Sequence, residues 1–243
     1  MSGQQDRSCS PSGLLLIDKP IGPTSMQVCR VVRRRLVNAG ASRRVKVGHG
    51  GTLDPLATGL LVVLVGRATK LCERVMAGEK RYLADVDLSR SSASDDHEGD
   101  LTIVNVDRIP ARADVEAACA GFVGPIMQTP PAFSAMMVGG QRAYKLARAG
   151  RAPTMEPRPV VVHSIDLSAY DWPIASLDIR CGRGVYIRSL ARDLGAALGV
   201  GGMLHSLRRT AVGPFGIDRA VRLDDVPDPL EQGDLVPMDS VVL

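Results

Sequence analysis

Short apolar runs along the chain alternate with amphipathic stretches. The runs Gly13 to Asp18 and Gly59 to Val65 predict buried strands, and partial alternation over Tyr82 to Leu88 predicts a third. Val160 to Leu167 and Ala175 to Cys181 are two further strand candidates. Because the strands are interspersed with helical patterns and no linker or internal repeat divides the chain, we expect one α+β (mixed α/β) domain.

Other stretches have the periodicity of amphipathic helices. In the first, capped by Thr24 or Ser25, apolar residues recur at every fourth position from Val28 to Leu36, and arginines lie on another face. The other predicted helices are Asp114 to Val123, Gln141 to Ala149, and Tyr186 to Leu198, the last ended by Gly199.

The segments between these elements predict loops. Val47 to Pro55 is too rich in glycine for a regular element, and the polar, acidic stretch Ser89 to Asp100 predicts a surface loop. We expect residues 1–12 to form a flexible tail and residues 13–243 to form a single catalytic domain.

Length and composition exclude several classes of protein. The chain has 243 residues, of which 45% are apolar and 23% charged, as in ordinary globular domains. The apolar run Leu60 to Val65 is too short for a membrane helix, and the polar N-terminus lacks the apolar stretch of a signal peptide. The five cysteines form no CxxC pair, which argues against a zinc or redox motif and suits a reducing cytoplasm.

The charge pattern permits a polyanionic partner. The net charge is +4, and arginines cluster between Arg30 and Lys46, either as a solvated face or as a surface for phosphates. Aromatic residues make up only 3%, which disfavours binding of single strands by successive base stacking. Any nucleic acid would therefore be recognised through backbone charge and shape.

Asp54 is the residue that the local sequence singles out for chemistry. Three glycines between Gly48 and Gly51 allow tight conformations, and Pro55 restricts Asp54 to extended backbone. A carboxylate on such a loop can be a nucleophile or a base. The alternative interpretation is that Asp54 only stabilises a turn, as aspartate before proline commonly does.

The stretch GHGGTLDPLATGLL resembles the signature of the TruB family of tRNA pseudouridine synthases. The resemblance continues in the family's order through EKRYLADVDLS, QTPPAFSAMMVGGQRAYKLARAG, CGRGVYIRSLARDLGAALG and LRRTAVGPF. It implies a pseudouridine-synthase-like domain with a largely antiparallel mixed sheet flanked by helices, and a thumb-like RNA-binding insertion over residues 130–155. The implied reaction converts uridine 55 in the T-loop of tRNA to pseudouridine, without metal or cofactor.

The resemblance assigns roles to individual residues. Asp54 matches the catalytic aspartate, which either attacks C1′ or first removes a ribose proton. Tyr82 matches the tyrosine that stacks on the target base, and Arg188 the arginine that pairs with the catalytic carboxylate. His49 matches a histidine that enters the T-loop where the flipped base was, and Leu207 a leucine that lines the uracil pocket.

Other residues are expected to support the site or to bind RNA. Lys19 and Pro20 match a motif that supports the floor of the active site. The basic helix and loop are the expected phosphate contacts: Arg30, Arg33, Arg34, Arg43, Arg44 and Lys46. The expected partner is the T-arm of tRNA, bound by a monomer with no membrane contact.

Three departures from the family pattern bear on RNA binding. About 28 residues follow Phe215, so we expect no C-terminal PUA-like module. In the insertion, Met137 stands where a lysine is usual and Phe133 where a tyrosine is common. Ser89 to Asp96 lacks the usual glycine and threonines.

Two alternative functions stay open at this point. The first is a catalytically silent tRNA-binding or tRNA-folding protein on the same scaffold. The second is a hydrolase with an aspartyl nucleophile, against which the lack of another acidic or metal-binding motif near Asp54 argues.

Overall fold

The computed structural model describes residues 10–238, which form two compact units. The first unit contains the chain up to Gly78 and again from Arg209, and the second contains Glu79–Arg208. Most of the predicted tail, residues 1–12, lies outside the described residues, and a single domain over residues 13–243 stays a prediction.

Both units combine strands with helices. The α-helices of the described residues are α1 (Ser25–Asn38), α2 (Cys72–Ala77), α3 (Arg112–Ala120), α4 (Ala143–Arg148) and α5 (Ile187–Leu198). The strands are β1 (Gly13–Lys19), β2 (Val47–His49), β3 (Thr58–Val65), β4 (Lys80–Asp87), β5 (Arg90–Ser92), β6 (Leu101–Ile103), β7 (Gly124–Gln128), β8 (Met137–Val138), β9 (Gln141–Arg142), β10 (Arg158–Asp171), β11 (Ile174–Cys181), β12 (Met203–Val212), β13 (Phe215–Gly216) and β14 (Val221–Arg222). No described helix combines the length and apolar character needed to cross a membrane.

The first unit is built on β1 and β3, which pair antiparallel with Leu16 opposite Val62. Strand β2 pairs antiparallel with β3, and β14 runs parallel to β1. Leucine and valine side chains from β1 and β3 pack with Phe215 in the core, which explains the unbroken apolar runs in the sequence. Helix α1 begins after Thr24, whose hydroxyl accepts a hydrogen bond from the Gln27 backbone in a capping box.

In the second unit β4 pairs with β11, β11 with β10, and β10 with β7, all antiparallel, so the first of these strands along the chain lies beside the last. Helix α3 packs on β10 and on α5. Helix α5 buries its apolar stripe and ends at Gly199, whose φ of 69° lies in the left-handed region. The predicted class, mixed α/β with a largely antiparallel sheet, is confirmed.

Several local predictions were wrong in ways that matter for the site. Val47–His49 is a strand rather than loop, because β3 supplies the backbone partners that the glycine-rich sequence cannot reveal. Arg90–Ser92 pairs with β6, and Ser94, Asp95 and Asp96 are buried, so of the acidic residues in the predicted surface loop only the later Glu98 and Asp100 are exposed. Helix α3 begins at Arg112 and ends at Ala120, and Gln141–Arg142 forms a hairpin with β8 before α4.

Candidate active site

Asp54 lies half-buried in the loop between β2 and β3, and buried polar side chains hold the main chain beside it. The Ser25 hydroxyl accepts a hydrogen bond from the Leu53 backbone N–H at 2.8 Å and donates to its carbonyl at 3.0 Å. The fully buried Lys19 ammonium donates to the carbonyl of Pro55 at 3.3 Å. The residues on both sides of Asp54 are therefore fixed through their backbone.

Lys19 also explains how the predicted support motif works. Its ammonium donates to the carbonyls of Pro20 at 2.9 Å and Pro23 at 3.0 Å, in addition to Pro55. One side chain thus joins the end of β1, the turn before α1 and the loop of Asp54. This arrangement is consistent with a supporting role for Lys19 and Pro20.

Arg209 holds the other end of the loop and was missed by the sequence analysis. It is 1% exposed, and its guanidinium donates to the carbonyls of Leu60 at 2.8 Å, Gly51 at 3.1 Å and Thr52 at 3.3 Å. A signal was available, because residues two apart on a strand share a face and Leu207 was expected to point inward. Arg209 follows Leu207 by two residues on β12.

His49 is half-buried at the end of β2, in the same unit as Asp54. Burial, and secondly the positive charge of Arg209, hold the pKa of His49 below its usual value of 6.5. His49 is therefore neutral at pH 7. Its buried Nδ1 atom has no hydrogen-bond partner among residues 10–238.

Tyr82 and Leu207 belong to the second unit. Tyr82 lies on β4 opposite Ile179, and its side chain is 9% exposed. Leu207 lies on β12 and is 8% exposed. Both side chains therefore lie on buried faces of their strands.

Arg188 lies in the first turn of α5 and is 5% exposed. Within its unit, Nη1 is 3.2 Å from Oδ2 of Asp96 and donates to the Ser94 carbonyl at 3.0 Å. Its Nη2 donates to the Phe133 carbonyl at 2.9 Å. The arginine is thus oriented by an ion pair and by two main-chain acceptors.

Asp96, the carboxylate beside Arg188, was not singled out by the sequence analysis. It is 2% exposed, and its Oδ1 accepts from the Ser94 hydroxyl at 2.6 Å and from the Glu98 backbone N–H at 3.0 Å. Nothing in the local pattern SRSSASDD separates it from a surface aspartate, because its burial depends on packing against α5 and β12.

The expected phosphate contacts form an exposed basic surface on the first unit. All six side chains are exposed, and none of them makes a hydrogen bond or an ion pair with any residue in the range 10–238: Arg30, Arg33, Arg34, Arg43, Arg44 and Lys46. The sequence from Lys19 to Leu53 contains no Asp or Glu to neutralise them. This charge distribution suits a polyanion.

Arg35 belongs to the same basic run but has a structural role. Its side chain is half-buried and donates to the carbonyls of Leu223, at 3.1 Å, and of Val226. The Arg35 carbonyl accepts from the Leu230 backbone N–H at 3.1 Å. Arg35 therefore ties α1 to the segment after β14, and it is not one of the six expected phosphate contacts.

The predicted site residues divide between the units, with Asp54, His49 and Lys19 in the first and Tyr82, Arg188 and Leu207 in the second. No group of three or more His, Cys, Asp or Glu side chains in the described part of the chain could hold a metal ion. The catalytic roles of these residues, and the absence of a cofactor, stay predictions.

Two family models match adjoining parts of the chain, which together cover residues 34–243. The model of the TruB family pseudouridylate synthase N-terminal domain matches residues 34–187, and that of the tRNA pseudouridylate synthase B C-terminal domain matches residues 188–243. The chain belongs to the TruB family. A TruB-family chain is a pseudouridine synthase, and this membership supports an enzyme rather than the catalytically silent alternative.

Relatives named tRNA pseudouridine synthase B share nearly half of their aligned residues with this TruB-family chain. That of Mycobacteroides abscessus is 45% identical over 90% of the chain and 73% of the relative. That of Thermobifida fusca is 46% identical over 88% of the chain and 74% of the relative. That of Gluconobacter oxydans is 42% identical over 88% of the chain and 62% of the relative, so the chain spans about three fifths of it.

Solved structures agree with the family assignment. A chain of a Cbf5-Nop10-Gar1 complex superposes with a TM-score of 0.66 at 29% identity, over 88% of this chain and 53% of that one. A chain of an H/ACA RNP bound to a substrate RNA containing 2′-deoxyuridine gives a TM-score of 0.64 at 28% identity, over 88% and 52%. The TruB-family chain thus spans about half the length of these solved chains.

Proposed function

We propose that this TruB-family chain converts uridine 55 in the T-loop of tRNA to pseudouridine, with Asp54 as the catalytic carboxylate. The observation that carries the proposal is the half-buried Asp54 on a loop whose main chain is held by Lys19, Ser25 and Arg209. A loop fixed in this way holds a reacting group in one geometry without first ordering it, which lowers the entropic part of the barrier.

The reaction breaks and remakes bonds within a single nucleotide. Asp54 starts it, either by attack on C1′ or by removal of a ribose proton, and the N1–C1′ bond breaks. The uracil turns and C5 bonds to C1′, which breaks the bond from Asp54 to C1′ in the first case and is followed by return of the ribose proton in the second. C5 then loses its proton and N1 gains one, so atoms and electrons balance. We propose that the enzyme needs neither metal nor cofactor for this isomerisation, since no oxidant, reductant or group donor enters the balance.

The remaining site residues are proposed to prepare the base and the carboxylate. Tyr82 stacks on the uracil, and Leu207 lines its pocket. Arg188 pairs with the carboxylate of Asp54, and a guanidinium beside a carboxylate keeps it ionised at neutral pH. Neutral His49 enters the space that the flipped base leaves, without introducing a second positive charge.

Binding of folded RNA is proposed to depend on the exposed basic surface. A base inside the T-loop must be flipped out, which costs a few kcal/mol that contacts elsewhere must offset. Arginine and lysine side chains bind phosphates and read the shape of a folded loop without base stacking. Arg30, Arg33, Arg34, Arg43, Arg44 and Lys46 are the proposed contacts, and we propose a cytoplasmic monomer as the active form.

The test is pseudouridine formation on an unmodified tRNA transcript, mapped by carbodiimide derivatisation. Wild-type protein should modify position 55, and Asp54→Asn, which keeps size but removes the charge, should bind the tRNA without turnover. Asp225→Asn, at an exposed carboxylate of the same unit, is the matched control and should retain wild-type turnover. Turnover of Asp54→Asn within tenfold of wild type would show that the catalytic group lies elsewhere.

A further inference from the structure

A second arginine–aspartate pair lies one helical turn from Arg188. Arg192 Nη1 is 2.8 Å from Oδ2 of Asp95, Nη2 donates to the Thr129 carbonyl at 2.9 Å, and Nε donates to Asp193 at 2.9 Å. Residues four apart share a face of a helix, so Arg188 and Arg192 present their guanidinium groups to the same neighbouring segments. The family resemblance assigns no role to Arg192 or Asp95.

The backbone at Asp95 adopts an uncommon conformation that brings two carboxylates to α5. Its φ is 60°, in the left-handed region, and the residue is 8% exposed. Its carbonyl accepts from the Leu204 backbone N–H at 2.9 Å, and its own N–H donates to Ser92 at 3.2 Å. Adjacent side chains of an extended chain point to opposite sides, whereas this turn lets Asp95 and Asp96 both meet arginines of α5.

The same two arginines also hold residues 129–133, which lead into the predicted insertion at residues 130–155 and are here called the insertion root. Arg188 donates to the carbonyl of Phe133 and Arg192 to that of Thr129, each at 2.9 Å. The Ser189 hydroxyl donates to the Thr129 carbonyl as well, at 2.8 Å. Each arginine therefore joins the insertion root to the buried residues 94–96, here called the aspartate segment.

We propose that Arg192 and Asp95 are positioning residues, which fix the aspartate segment and the insertion root so that Arg188 and Asp96 keep one relative orientation. The inference rests on the proposed function, because it takes pseudouridine formation as the reaction that Arg188 assists. Asp95 precedes Asp96 directly, so release of its carboxylate from Arg192 loosens the residue that faces Arg188. Burial raises the pKa of Asp95 and the Arg192 charge opposes that rise, so Arg192 favours the ionised partner.

The principal test is Asp95→Asn. Asparagine tolerates left-handed backbone and keeps the side-chain size, so the substitution removes the charge with little change to the turn. The single-turnover rate constant at saturating tRNA should fall about tenfold, since small misplacements of a catalytic group cost one to two orders of magnitude. The tRNA dissociation constant should stay within about twofold of wild type.

Glu116→Gln is the matched control in the same unit. Glu116 pairs with Arg112 at 2.8 Å, and Arg112 likewise donates to a main-chain carbonyl, that of Leu167. This pair is exposed and far along the chain from Arg188, so its loss should leave the rate constant unchanged.

Two further variants separate positioning from general structure. Arg192→Lys keeps the charge but cannot span Asp95 and Thr129, so it should reproduce the tenfold loss even if Asp95→Asn fails to fold. When Asp95→Asn is added to a protein that already carries Asp96→Asn, it should lower the single-turnover rate constant by less than about twofold, because its effect passes through Asp96. Thermal unfolding checks that each variant is folded.

The proposal is overturned if folded variants keep the wild-type rate constant, if only the tRNA dissociation constant changes, or if the full tenfold loss persists without Asp96. A wild-type protein that forms no pseudouridine would instead overturn the proposed function. The two failures are therefore distinguishable in one set of assays.

Discussion

The loop of Asp54 and the first turns of α5 are held by different chemistry. Around Asp54, the anchoring side chains described above bind main-chain atoms of the loop. On α5, Arg188 and Arg192 also meet the buried carboxylates of Asp96 and Asp95. Bonds to the main chain fix a backbone whatever side chain it carries, whereas ion pairs orient a charged side chain. The first arrangement suits a residue that reacts, and the second a residue that assists it.

After the loss of turnover expected for Asp54→Asn, the largest expected effect comes from disturbing the ion-paired region at Arg188. Arg188→Lys keeps the charge but loses the planar geometry that meets a carboxylate and two carbonyls at once. The single-turnover rate constant should fall by about two to three orders of magnitude, about 3–4 kcal/mol, with tRNA affinity unchanged. If affinity fell and the rate constant at saturation held, Arg188 would be an RNA contact and the comparison would break.

The loop of Asp54 is held through its main chain, so loss of an anchoring side chain should lower the free energy of unfolding. Arg209→Met leaves the buried carbonyl of Leu60 and the partly buried carbonyls of Gly51 and Thr52 without this donor, and one unsatisfied buried group costs about 1–3 kcal/mol. The free energy of unfolding in urea should fall by about 2–3 kcal/mol, allowing for partial relaxation. Arg34→Met, at an exposed position, is the control and should change it by less than about 0.5 kcal/mol. Equal losses in both variants would show that the bonds of Arg209 do not hold the loop.

These two regions also differ in how far sequence could predict them. The strand, turn and helix around Asp54 follow from Pro20, the capping Thr24 and the apolar run of β3, all local signals. Arg209 was overlooked, although alternation along β12 from Leu207 places it inward. The local sequence gives no indication that Asp96 is buried, because an aspartate next to serines is typical of an exposed loop. Its burial follows from packing against α5, which the local sequence does not contain.

Arg35 shows the same limit within the basic run. Neighbours Arg33 and Arg34 are exposed, as the helical pattern predicts, while Arg35 binds carbonyls of the segment after β14. That segment lies about 190 residues further along the chain, so only tertiary structure reveals the contact. The periodicity of apolar residues along a helix or strand therefore predicts which face a residue occupies. It does not predict which distant segment of the chain covers that face.

A smaller expected effect is on the salt dependence of tRNA binding, which should distinguish the anchoring arginines from those of the exposed basic surface. Each phosphate contact contributes about 0.7–0.9 to the slope of log affinity against log salt concentration. Arg33→Gln should therefore reduce that slope for tRNA by just under one, while Arg192→Lys should leave it unchanged. Met137→Lys, at a side chain that is 55% exposed on the β8–β9 hairpin, should steepen it by up to about one.

Titrations of tRNA binding at several salt concentrations measure these slopes. Arg222→Gln, at an arginine with 77% side-chain exposure, controls for loss of a surface charge and should keep the wild-type slope. An unchanged slope for Arg33→Gln would remove this face of α1 from the RNA surface, and an unchanged slope for Met137→Lys would mean that the hairpin does not reach a phosphate.

The smallest expected effect is the pH dependence that His49 gives to the Asp54 region. The native pKa of His49 is lowered by burial and by Arg209, whereas an unfolded histidine titrates near 6.5. Below about pH 6.5 the unfolded chain therefore binds a proton that the native protein resists, so stability falls as the pH falls. His49→Gln should flatten this decline in urea unfolding between about pH 7.5 and 5.5, and His205→Gln, at an exposed histidine, should not. A decline that is the same in wild type and His49→Gln would mean that neither burial nor Arg209 lowers the pKa of His49 in the native protein, and that Arg209 fixes the loop without acting on the charge of His49.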